Sequence, residues 1–204
     1  MNTAVVANGL CEDLDALREL LLPYKRIVAV DGGLNTCKAL GINPSLLVGD
    51  FDSTSTQLLA EYKQVPKITL PTDKDQTDLE VALEHEFAQG AGRITLFGAA
   101  GHRLDHSATN LLLLSRYPGR LKMETERETV FAIQGEAFIE AHVGQTLSLV
   151  PLTGPVRGIT TVGLKWELAG RDLDYQFVGI SNVCLRSQVR IHVQDGILTC
   201  FLVR

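Results

Sequence analysis

Carboxylates crowd three short segments of this chain. Asp50-Phe51-Asp52-Ser53 follows an apolar run, and Asp31 follows an earlier one. Asp73-Lys74-Asp75-Gln76-Thr77-Asp78 brings three more acids and a lysine. Like charges held close together repel unless a proton or cation sits between them. A hard divalent cation carrying phosphate is the simplest such resident, because Mg²⁺ takes oxygen ligands and often shares them with substrate phosphates. Two Asp at i and i+2 on a loop leaving a strand can turn to one ion while Phe51 packs the other way, and Asp75 can reach an ion held by Asp50 and Asp52. Lys74 suits a phosphate as a point charge. The plainer alternatives are a turn with a capping Asp for Asp50–Asp52, and helix-start acids favoured by the helix dipole for the second group, Asp78 above all.

A third segment, Gly98-Ala99-Ala100-Gly101-His102-Arg103-Leu104-Asp105-His106, has the small residues that let backbone N–H groups approach phosphate. Arg103 can grip phosphate oxygens. Asp105 can orient His106 or face the acidic cluster, and Asn110 shares the His106 helix face at i+4. A His beside an Asp is also an ordinary structural hydrogen bond, and this loop is neither a Walker A loop nor a Rossmann fingerprint. A fourth group lies far downstream. Trp166, the only tryptophan, is either a core aromatic or a flat face for a heteroaromatic or cationic ring, with Ser181 and Asn182 as hydrogen-bonding partners for that ring's edge.

The elements that must position these groups follow from the pattern. Ile27–Val30 and Leu46–Val48 are short apolar runs that stop at Asp or Gly, as buried parallel strands do. Asn2–Ala7, Lys67–Leu70 and Ile94–Phe97 complete a set of five strands. Between them the sequence predicts helices: Leu10, Leu14, Leu17 and Leu21 at helical spacing; Leu34–Leu40 closed by Gly41; a helix capped by Ser53 or Thr54 and reaching Tyr62; one opened by a capping box at Thr77-Asp78-Leu79-Glu80; and one from about His106 to Arg116. Alternating strands and helices imply a three-layer α/β/α domain with a mostly parallel sheet, whose strand C-termini form the usual ligand crevice. The texture changes near Pro118–Lys122. Beyond it, Glu128–Ile133, Ala137–His142, Thr146–Val150, Val156–Val162, Val189–Val193 and Ile197–Val203 read as strands, and Asp195-Gly196 as a hairpin turn. The expected division is an α/β domain over residues 1–121 and an antiparallel β-sandwich over 122–204, the latter roughly 80 residues and within the usual domain range.

Composition narrows the classes. A formal net charge of −5 leaves no basic footprint for nucleic acid. No apolar run approaches the roughly 20 residues needed to span a bilayer, and the start of the chain turns acidic without a basic leader, so neither a membrane partner nor a signal peptide is expected. The four cysteines, Cys11, Cys37, Cys184 and Cys200, have no paired spacing and read as reduced thiols of a cytoplasmic protein.

In order, DGGLN (31–35), LGINPSLLVGDFDS (40–53), KDQTDLEVAL (74–83), GAAGHRLDH with Asn110, GLKW (163–166) and ISN (180–182) together resemble thiamine pyrophosphokinase, over most of the chain. The resemblance implies transfer of a pyrophosphoryl group from ATP to thiamine, giving thiamine diphosphate and AMP, in a homodimer with active sites in clefts between subunits. It also implies roles. Asp50, Asp52 and Asp75 would hold Mg²⁺ against the triphosphate, with Asp78 and Asp105 in the same acidic pocket. Asp31, Asn35 and Arg103 would place the nucleotide, beside Lys74 and His106 from the residue reading. Trp166, Ser181 and Asn182 would receive thiamine. The thiamine hydroxyl would attack the β-phosphorus in line, with Asp75 or Asp105 as proton acceptor. Two rivals share the acidic loops: an Mg²⁺-dependent pyrophosphokinase for another heterocyclic alcohol, and a thiamine- or nucleotide-binding sensor without turnover.

Overall fold

The computed structural model describes residues 2–52 and 54–204. The chain divides into two compact units: one runs to Asn110 and includes Glu124–Glu126, and the other holds Leu111–Met123 and Arg127–Arg204.

In the first unit five strands, β1 (Asn2–Val6), β2 (Arg26–Val30), β3 (Leu46–Gly49), β4 (Lys67–Thr69) and β5 (Arg93–Phe97), pair in parallel in the order β5-β1-β2-β3-β4. Helices α1 (Leu14–Leu21), α2 (Gly33–Ala39), α3 (Thr56–Glu61), α4 (Asp78–Ala88) and the start of α5 (Leu104–Leu114) fill the connections. Strands β1, β2, β3 and β5 are buried almost throughout, as helices on both faces require. A core of Ala4, Val6, Leu17, Leu21, Ile27, Leu34, Leu47 and Phe97 glues strands to helices. The capping box is present: the Thr77 N–H donates to Glu80 Oε2 at 2.9 Å, and the Glu80 N–H donates to Thr77 Oγ1 at 3.2 Å. Two expectations change. Ser55, not Thr54, caps α3, accepting the Leu58 N–H; Ser53 lies outside the described residues. Leu10 falls before α1, where Asp13 is the cap, and stays exposed.

The second unit is a β-sandwich. One sheet runs β12 (Gly179–Val183), β9 (Thr146–Val150), β14 (Leu198–Val203), β7 (Glu128–Ile133), β6 (Leu121–Glu124); the other runs β11 (Arg171–Leu173), β10 (Val156–Val162), β13 (Gln188–His192), β8 (Glu136–Glu140). Pairing among β12, β9, β14 and β7, and throughout the second sheet, is antiparallel. Inward residues of both sheets, among them Leu147, Leu149, Leu198, Val156, Ile159 and Ile191, meet in one core. Asp195-Gly196 does not close a hairpin: β13 pairs with β8 and β10, whereas β14 pairs with β7 and β9, so this turn carries the chain from one sheet to the other. Strands β6, β11 and β12 escaped the sequence reading; β11 has three residues and β12 is interrupted by a register shift. No helix among the described residues is long and apolar enough to cross a membrane.

Candidate active site

Strand order decides what can meet. The chain leaves β1 toward β2, β3 and β4, then returns to place β5 on the other side of β1, and ligands in such sheets bind where that order reverses. The C-terminal ends of β1, β2, β3 and β5, with the start of α4, frame a crevice of about 590 Å³. Asn8 and Gly9 enter after β1, Asp31 after β2, Asp50 and Asp52 after β3, Thr77 and Asp78 before α4, and Gly98 through Arg103 after β5, with His106 and Asn110 from α5.

Three of the acids converge. Asp31, Asp50 and Asp78 each offer a carboxylate oxygen, and these atoms lie within 4.8 Å of one another. Local backbone makes this possible. Asp31 and Phe51 both sit in the left-handed region, at φ 46 and 59, which turns the chain sharply just past β2 and β3. Gly49, at φ 154, gives Asp31 its space: a Cβ there would lie 1.8 Å from Asp31 Oδ1. The burial and like charge have a consequence. Burial first, then hydrogen bonding with Asp78 and the charges of Asp78 and Asp50, push the Asp31 carboxyl up to about 7, against a partial offset from the Phe51 backbone. Asp31 Oδ1 is buried with no hydrogen-bond partner. Such a set calls for a proton or a cation between the oxygens, and its all-carboxylate chemistry fits a hard divalent ion.

The remaining acids stand apart from this trio. Asp52 lines the crevice but is exposed; its N–H donates to Asp50 Oδ1 at 3.1 Å. Asp75 is exposed and outside the lining. Lys74 Nζ lies 3.0 Å from Asp78 Oδ1 and donates to the Pro71 carbonyl at 2.8 Å, so it already sits as a countercharge beside the trio. Asp105 does not line the crevice. It holds the Arg103 guanidinium through two hydrogen bonds, 3.1 and 2.5 Å, and accepts the His106 N–H. Arg103 above all, with that N–H, keeps its carboxyl down at about 2, so it is a weak proton acceptor. Asn35 is exposed on α2 and does not line the crevice.

The loop after β5 is braced from within. Asn110, buried, donates from Nδ2 to the Ala99 carbonyl at 2.8 Å, and the Gly101 N–H donates to Ser107 Oγ. Asn8-Gly9 was missed by the sequence reading because it carries no charge and belongs to no motif. Its signal is steric: a Cβ on Gly9 would fall 2.3 Å from the Gly98 and Ala100 carbonyls, so only glycine lets the β1 and β5 loops touch.

The second unit resolves one open alternative, that for Trp166. Trp166 is 56% exposed, so it is no core aromatic, and Lys165 Nζ stands 4.6 Å over its ring. Ser181 is exposed at φ 57, whereas Asn182 is buried and turned toward the Trp166 backbone.

Two family models match this chain. The family model described as the catalytic domain of thiamin pyrophosphokinase matches residues 17–125, and that for the vitamin B1 binding domain matches 137–198. The thiamine pyrophosphokinase of Bacillus subtilis is 28% identical over 184 residues, covering 84% of each chain. Thiamine pyrophosphokinase 2 of Arabidopsis thaliana is 26% identical over 170 residues, 76% of this chain but 64% of that longer protein. The solved thiamin pyrophosphokinase of Geobacillus thermodenitrificans superposes with a TM-score of 0.88 at 28% identity, covering 100% of this chain and 98% of the other.

Proposed function

Because the chain belongs to the thiamin pyrophosphokinase family, we propose that it transfers the pyrophosphoryl group of ATP to the hydroxyethyl oxygen of thiamine, releasing thiamine diphosphate and AMP. The observation that carries the reading is the convergence of Asp31, Asp50 and Asp78 at the crevice where the strand order reverses. Residues 1–121 carry ATP and Mg²⁺ in this reading, and residues 122–204 carry thiamine.

Asp31, Asp50 and Asp78 hold Mg²⁺. Asp52, on the same crevice, shares in that task, and Asp75 belongs to an outer set. A Mg²⁺ held there would supply positive charge against the phosphates and the developing leaving group. The chain's own groups do the rest. Lys74 and Arg103 bind phosphate oxygens, with Asp105 fixing the direction of the guanidinium instead of taking a proton. The Asn110-braced loop offers backbone N–H groups to phosphate, Asn35 and His106 complete the nucleotide side, and Trp166 with Ser181 receives the thiamine ring. The chain works as a cytoplasmic homodimer with active sites between subunits. Four free cysteines support the compartment, and the resemblance of the motifs supports the dimer.

The test is direct. Protein, ATP, Mg²⁺ and thiamine should give AMP only when thiamine is present. ADP would mark an ordinary kinase, AMP with another heterocyclic alcohol but not thiamine would move the acceptor, and no product would favour a sensor. Sedimentation of the same sample should give twice the chain mass.

A further inference from the structure

The sequence leads one to expect Asn182 at the edge of a bound ring, yet its side chain is already engaged. Asn182 Oδ1 accepts the Trp166 N–H at 3.1 Å and the Val183 N–H at 2.8 Å, and Asn182 Nδ2 donates to the Trp166 carbonyl at 2.7 Å. Both lone pairs of the oxygen are used, and at most one N–H remains. The residue is 8% exposed.

We propose that Asn182 is the positioning residue for Trp166: its carboxamide acts as a substitute peptide group that fixes the backbone carrying the exposed ring. The neighbouring contacts show why one is needed. The Lys165 N–H donates to the Val183 carbonyl at 2.8 Å, and the Leu185 N–H donates to the Gly163 carbonyl at 2.7 Å, so Leu164 forms an antiparallel bridge with Cys184 just past the end of β12. At Trp166 the Asn182 side chain takes over, returning one hydrogen bond in each direction as a strand partner would.

A bulge aims that side chain. The register of β12 against β9 shifts between Gly179 and Asn182, and within the shift Ser181 stands at φ 57 with its N–H donated to Ser148 Oγ at 2.9 Å. An extra residue of this kind re-aims the side chains beside it. Here Ser181 is exposed while Asn182 is buried. A left-handed non-glycine conformation persists only when its surroundings hold it, and the Ser148 hydroxyl is one such hold.

This inference rests on the proposed reading of Trp166 only for its effect on thiamine. The clamp itself is read in the ligand-free protein, where Trp166, the sole tryptophan, is the whole indole signal. Asn182→Ala should lower the tryptophan anisotropy and raise the thiamine KM about fivefold to tenfold, as loss of a hydrogen bond or two implies, with kcat and the ATP KM near their starting values. Ser148→Ala, a milder change in a half-buried side chain, should move both readouts the same way by less. Unchanged anisotropy in Asn182→Ala overturns the clamp. If the KM still rose, Asn182 would be touching the ring directly. Lower anisotropy with an unchanged thiamine KM upholds the clamp and removes Trp166 from the thiamine site.

Discussion

In the crevice of the first unit the groups that matter come from positions as far apart as 31 and 78 and repel one another. In the loop of the second unit the paired groups, Trp166 and Asn182, hold each other by matched donors and acceptors. Both regions bend the backbone through left-handed residues: Asp31, Phe51 and His102 at the crevice, Ser181 at the loop. In the crevice that bending brings like charges together and leaves Asp31 Oδ1 without a partner. In the loop it hides an amide and leaves an aromatic face to solvent. An ion site gains from unmet charge, because the ligand supplies what the protein lacks; a stacking face gains from a backbone that is already settled before the ligand arrives.

The largest effect should come from the crevice. Asp50→Asn or Asp78→Asn removes one anionic oxygen from the trio and should lower turnover about a hundredfold or more. In Asp50→Asn the change also removes a like charge beside Asp31, so that metal-free variant should unfold at the same denaturant concentration as the parent or a higher one. Activity lost together with stability would instead make these acids structural. Asp75→Asn, outside the crevice lining, should reduce turnover far less; equal losses in all three variants would break the ranking that the geometry gives.

Next in size is the ring. Trp166→Ala should weaken thiamine binding by about 1–3 kcal/mol if a stacking contact is lost, seen as a higher thiamine KM with the ATP KM little changed. Because Trp166 is 56% exposed, the variant should keep its stability to within a few tenths of a kcal/mol. A large drop in stability would return the indole to a packing role.

The two regions were also legible to different degrees. Asp50 and Asp78 could be read as neighbours of a ligand crevice because each sits where a short apolar run or a capping box marks the end of one element and the start of the next. Which acids share one point could not be read. That depends on β2, β3 and β4 lying side by side and on two left-handed residues, neither of which leaves a periodic trace. Hence Asp31 joins the trio where a place beside the nucleotide was expected, and Asp75 stands off. The sandwich core was legible from alternation in β7, β9 and β10, but β12 was not, since its bulge breaks the period of two. The Asp195-Gly196 turn shows the same limit: its residues state that the chain bends, not which sheet it bends toward.

The smallest effect sharpens the comparison through pH. The Asp31 carboxyl sits at about 7 in the folded protein, whereas an unfolded Asp titrates near 3.9. Between these values the folded state keeps a proton that the unfolded state has released, so metal-free stability should fall as pH rises from about 4 to about 7 and then level off. Asp31→Asn should lack this component, so the gap between variant and parent in denaturant midpoint should widen between pH 5 and pH 8. A divalent cation competes with that same proton, so Mn²⁺ affinity of the parent, followed by titration calorimetry, should rise over the window and plateau above it. The ring loop predicts the opposite pattern, since neither Trp166 nor Asn182 titrates there: tryptophan anisotropy should stay flat from pH 5 to pH 8. An anisotropy that tracked the Asp31 titration would mean that the charge of the crevice reaches the Trp166 loop, and that the two regions are not independent devices.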